Sequence, residues 1–215
     1  MEGLEKFFNF LIVVSSIALA AVVIYMVVTY FVRKKQTEKL KSQKRRGPDY
    51  VPKLIKIYRP SAKIVRNAVL PEPLEDGTFG RAEADLIYID GCGIVVMSLC
   101  PVSGAVDNPK EGPWTVTNPK ITVTLDNPLE RTAAATRAIA ALLKDEEVYN
   151  VPIYNVAVFY GRKTVFRNKS NQSLNSDSLI STLNDINRDR FLRRPEISAT
   201  YNAIKKHMEK QTVEQ

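Results

Sequence analysis

AEADLIYIDGCGIVVMSLCPVSGAV, residues 82–106, is the stretch on which the architecture turns. Residues 84–89 and 94–99 are rich in Ile, Val, Leu and Tyr. Between them Asp90-Gly91-Cys92-Gly93 supplies a tight turn with two glycines free to take φ > 0. The spacing predicts a β-hairpin. Its second strand, IVVMSL, is apolar on both faces, which places it centrally in a sheet covered on both sides. Strand burial does not explain one charge in the hairpin, Asp85. Two readings are open for it: a metal ligand, or a strand-end residue beside water.

Downstream, residues 114–117 and 121–125 flank Asn118-Pro119-Lys120 and alternate apolar residues with Thr, which predicts a second hairpin with one wet face. Trp114 is expected in the core or at a sheet edge. Helix signals follow: Asn127 as N-cap, Pro128 at the first helical position and Glu130 three past the cap. This helix is expected to reach about Lys144, with Leu129, Ala133, Thr136, Ala140 and Leu143 on one side. Residues 154–160 read as a buried strand, 164–167 as an outer strand and 168–176 as a polar loop. A helix over 177–189 should turn Leu179, Leu183 and Ile186 inward. A last helix from Pro195 places Ile197, Tyr201, Ile204 and Met208 at helical spacing. Upstream, residues 50–58 fit a short strand or helix, and 61–67 one or two helical turns. A β-like segment begins at 68–70 and is interrupted by Pro71 and Pro73.

This order resembles the nuclease-related domain family, NERD, over roughly residues 68–188. The family core is an acid on one strand, a Gly-containing turn, then an apolar strand ending in Glu-x-Lys, followed by Ser-Gly. Asp85 stands at the acid, residues 93–97 form the second strand and Ser103-Gly104 the close. Ser98 stands where the family has Glu, and Cys100 where it has Lys. Arg131 replaces a glutamine that many members carry and is expected as a solvated surface residue, and the family's upstream Gly-Glu pair is missing. The resemblance implies a restriction-endonuclease-like α/β sandwich with a mixed sheet, and, in intact members, Mg²⁺-dependent phosphodiester hydrolysis. Mg²⁺ takes oxygen ligands, typically one or two carboxylates with water and phosphate, and uses them to polarise phosphate and activate water. Serine is a poor substitute for a carboxylate, and a neutral thiol cannot replace a fixed cation. The site is therefore expected to be dismantled and to hold no cofactor. The alternative is an active, Mg²⁺-dependent nuclease with a rebuilt site: Glu83 and Asp85, two residues apart, are expected on one strand face, with Asp107 approaching from the end of the hairpin and Arg131 touching an anion.

Residues 7–32 are apolar and long enough to cross a ~30 Å hydrocarbon layer as a helix, which takes about 20 residues. The run is too long for a secretory signal, and its positive charges follow it. Residues 33–46 carry eight Lys/Arg against the single Glu38, so the carboxyl-terminal part is expected on the cytoplasmic side. That predicts a single-pass protein of the cell membrane with Cys92 and Cys100 as free thiols in a reducing compartment. The net charge of +8 falls to +2 for residues 47–215, so nucleic acid is expected to bind weakly at most, and the basic run suits anionic headgroups. Four regions result: 1–32 with the membrane helix, a basic linker 33–49, a NERD-like domain 50–190 and a terminal helix 191–215. The function expected is binding to an unidentified protein partner from the bilayer. A third possibility is a structural component of a membrane assembly. His207, the only histidine, is expected at the surface.

Overall fold

The computed structural model describes residues 2–42, 46–168, 170–186 and 192–212. The chain forms two units, residues 1–44 and 45–215. The first is one helix, α1 (Glu2–Lys41), continuous through the apolar run into the basic segment. Its best window has a mean hydropathy of 2.8 with none of it buried inside the protein, so by length and composition it could span a membrane. Ser15 and Ser16 both donate to the Ile12 carbonyl, and Thr29 donates to that of Tyr25. These three hydroxyls are thus satisfied within the helix, as hydrocarbon surroundings would require.

The second unit opens with α2 (Tyr50–Tyr58). Of the two readings of this segment the helix holds: Pro52 lies in the first turn, where its missing N–H removes no helical bond. The strands β1 (Lys63–Pro73), β2 (Phe79–Asp90) and β3 (Gly93–Cys100) then form an antiparallel meander. The helical turns expected over 61–67 are strand instead. Nor do Pro71 and Pro73 interrupt β1, because it is an edge strand whose outer side has no ladder bond to lose.

Next come β4 (Ala105–Asp107), β5 (Trp114–Thr117), β6 (Thr122–Leu125), α3 (Pro128–Asp145) and β7 (Ile153–Phe159). β8 (Val165–Phe166), β9 (Ser173–Asn175), α4 (Leu179–Ile186) and α5 (Arg194–Thr212) complete the chain. The polar loop expected over 168–176 contains β9, which pairs parallel with β7. The helix expected over 177–189 is α4; residues 187–189 lie outside the described residues.

One sheet has the order β1-β2-β3-β7-β9 and the other β6-β5-β4-β8, both mixed, so the expected α/β architecture is present. β3 is central: Ile94, Val95, Val96 and Met97 are fully buried. At its entry Gly93 takes φ 112°, and a Cβ there would sit 2.3 Å from the Pro152 carbonyl oxygen. Gly91, the other turn glycine, does not take positive φ.

α3 and α5 cover one face of the larger sheet, where Ile87, Ile89, Ile94 and Val96 meet Ala135, Ala138, Ile139 and Ile204. The buried side of α3 is Thr132, Ala135, Ala138, Ile139, Leu142 and Leu143. The expected stripe is corrected by about one residue, and Ala140 is exposed. A second core joins Cys100, Val106, Trp114, Val116, Ala157 and Phe159.

Candidate functional site

On β2, Ile87 and Ile89 enter the core from odd positions, but Ala82 and Ala84 enter from even ones. On β1, Val65 gives way to Ala68 and Leu70 in the same manner. The phase changes at Asn67 and Asp85, between the pairs Arg66↔Leu86 and Ala68↔Ala84. Asn67 takes φ 48° there, a left-handed conformation that Asn tolerates better than most residues. The slip turns Asp85 to the face on which α3 lies and leaves Glu83 on the other. The expectation that both acids share a face is therefore wrong; regular alternation is broken between them.

α3 brings the counter-charge. Asn127 caps it, its side-chain oxygen accepting from the Leu129 N–H at 3.0 Å while its Nδ2 donates to Glu130 Oε1 at 3.1 Å. With Pro128 opening the helix, Arg131 falls in the first turn and its guanidinium pairs with Asp85 Oδ1. Asp85 Oδ2 accepts from the Leu99 N–H at 2.6 Å and from Ser98 Oγ at 3.4 Å. Ser98 and Cys100 lie on one face of β3. Burial pushes the Cys100 thiol up to about 12, with the Asp85 charge adding to the rise and Arg131 opposing it. A thiol held in that state is no nucleophile near pH 7, and sulfur is a poor ligand for a hard ion such as Mg²⁺.

Asp85, Ser98, Cys100 and Arg131 are thus gathered at one place. Glu83 pairs with Arg81 at 3.2 Å, and Asp107 with Arg167 at 3.4 Å. Among the described residues no group of three or more His, Cys, Asp and Glu is arranged to hold a metal ion. The gathered donors do not fit Mg²⁺. They comprise one carboxylate with both oxygens engaged, one hydroxyl and one thiol, with a fixed cation already against the carboxylate. Arg131, expected as a solvated surface residue, is what sequence reasoning missed. The available signal was Asn67, a residue suited to left-handed geometry standing between the β-branched Ile64-Val65 and Val69.

The pair's worth is measurable. Asp85→Asn keeps an acceptor for the Leu99 N–H and is expected to lower unfolding free energy by less than about 1 kcal/mol, because Arg131 is half exposed. Asp85→Ala strands that N–H and is expected to cost about 1–3 kcal/mol. Urea unfolding of the two variants, with and without Arg131→Gln, checks this. Equal losses for Asn and Ala would refute the role given to the backbone bond.

His207 is half-buried, and its Nε2 lies 2.8 Å from Glu146 Oε1, so it is a structural partner rather than a free surface residue. Comparison with known families matches residues 49–160 to the nuclease-related domain. No curated protein and no solved structure matches the chain. The mixed-sheet domain is consistent with the restriction-endonuclease-like fold, and with more than half of its 215 residues matched the chain belongs to the nuclease-related domain (NERD) family.

Proposed function

We propose that this protein is held in the cell membrane by α1, with its NERD domain on the cytoplasmic side, and that the domain works as a binding module without a metal and without hydrolysing phosphodiesters. The observation that carries this reading is the Asp85–Arg131 pair. The acid that would anchor a divalent ion is neutralised by a guanidinium from α3, and its second oxygen is committed to the β3 backbone. Removing the Glu and Lys of the family pattern leaves the sheet intact, because Ser98 and Cys100 are small enough to be buried beside it. Such a domain keeps a rigid surface and loses the groups that activate water.

The basic run argues for a cytoplasmic domain, since Lys and Arg resist translocation. A net charge of only +2 on residues 47–215 argues for a protein partner over nucleic acid, whose binding rests on phosphate neutralisation.

The test is cleavage. Full-length protein in detergent, given Mg²⁺ or Mn²⁺ with single- and double-stranded DNA and with RNA, is expected to release no product above a protein-free blank. Asp85→Asn and Glu83→Gln are expected to leave that result unchanged. Metal-dependent cleavage lost in either variant would establish an enzyme with a relocated site.

A further inference from the structure

A cleft outside the Asp85 site lies at the carboxyl end of β2. It encloses about 830 Å³ between the hairpin turn at Asp90 and Gly91, the entry to β1 at Ser61 and Lys63, and the start of α5 at Arg193 and Arg194. That volume falls within the range of small-molecule sites, about 300–1,000 Å³. Its walls are tied together. The Leu192 N–H donates to the Gly91 carbonyl at 2.9 Å, joining the approach to α5 to the hairpin turn. Asp90 on the floor is 5% exposed; its two oxygens accept from Tyr88 Oη at 2.8 Å and from the Gly91 N–H at 2.9 Å.

The rim is cationic. Lys63, Arg193 and Arg194 make no ion pair among the described residues, although Lys63 Nζ lies 5.5 Å from the Tyr201 ring centre. By contrast Arg66, Arg81, Arg131, Arg137 and Arg167 each face a carboxylate. Three cations around one cleft, without a carboxylate partner among the described residues, repel one another unless an anion joins them. The end of α5 is not the receptor, because Glu196 already takes the Arg193 N–H at 2.5 Å.

The geometry points to a phosphate-binding site here, taking the terminal phosphomonoester of a small ligand. Two guanidinium forks suit phosphate oxygens bidentately and an ammonium adds a point charge. The hydroxyls of Ser61 and Ser198 line the same cleft. Asp90 on the floor disfavours a polyanion lying across the whole cleft, so one phosphate at the rim is what the charges accommodate. That phosphate can belong to a soluble molecule or to a lipid headgroup.

The experiment titrates inorganic phosphate into full-length protein in phosphatidylcholine nanodiscs, at constant ionic strength, by calorimetry. Saturable binding to one site is expected, weakened at least tenfold in Arg193→Gln/Arg194→Gln and unchanged in Lys110→Gln/Lys120→Gln. All four residues are exposed, and matched thermal unfolding of the variants excludes misfolding as the cause. Discs doped with phosphatidate separate the sources: competition with phosphate assigns the site to a headgroup, and undiminished phosphate affinity assigns it to a soluble ligand. Absence of saturable binding to the unaltered protein, or equal weakening in both double variants, overturns the site.

Discussion

Trp114→Ala is expected to lower the unfolding free energy of the domain by about 3–5 kcal/mol, the range for deleting a large aromatic side chain from a close-packed core. Trp114 is 1% exposed. Its ring stacks on Phe159 at 6.0 Å and 9°, and Phe159 meets Phe166 edge-on at 5.3 Å. These contacts join the smaller sheet, through β5 and β8, to β7 of the larger one, so an emptied site cannot be refilled by one strand moving alone. The indole contributes chiefly through packing, since Nε1 is buried with no hydrogen-bond partner among the described residues. Trp114→Phe should therefore be far milder than Ala: it loses volume but also removes a stranded donor, whose desolvation opposes folding by about 1–3 kcal/mol. Denaturant unfolding followed by circular dichroism checks both, because Trp114 is the chain's one tryptophan and its fluorescence is lost with it. A near-neutral Ala variant would refute the packing role given to Trp114.

The hairpin at the centre was legible because its signals are local. Apolar residues on both faces of β3 and turn chemistry at residues 90–93 need no knowledge of the rest of the chain. Contacts from far away decide the parts that were not legible. β9 has three residues and is a strand only because β7 lies beside it. α3 misled for a different reason. In PLERTAAATRAIAALLKD small apolar residues stand on every side, so several stripes fit almost equally well. The sheet chose the one that brings Ile139 and Leu142 inward.

The candidate site divides in the same way. That Asp85, Ser98 and Cys100 fall close together follows from hairpin register alone. Their partnership with Arg131 does not, because it depends on a phase slip at Asn67 and Asp85 that strict alternation forbids. The slip explains why counting by twos from Asp85 to Glu83 failed. It also turns Asp85 toward the first turn of α3, where Arg131 offers it a cation. The two cysteines, legible as free thiols, are both buried, and burial pushes Cys92 up to about 11. A thiol-directed label would therefore report burial instead of membrane sidedness.

Sidedness and insertion are better tested on α1. Leu19 and Val23 lie one turn apart near the middle of the apolar run, 67% and 52% exposed within the protein. Exposed apolar side chains on a helix of this length and composition could sit in a bilayer. Arginine in the middle of a spanning helix costs about 2.5–3.5 kcal/mol on insertion scales. Leu19→Arg with Val23→Arg should then weaken insertion by about 5–7 kcal/mol, roughly four to five powers of ten in the partition. The unaltered protein is expected to stay with membranes through alkaline carbonate extraction, and the double variant to move to the soluble fraction with its domain still folded. Orientation reads out in the same cells. The eight Lys/Arg of residues 33–46 predict β-galactosidase activity, and no alkaline phosphatase activity, from reporters fused at the carboxyl terminus. Phosphatase activity there would reverse the orientation while leaving the span intact. Carbonate resistance of the double arginine variant would instead mean that something other than α1 holds this domain at the membrane.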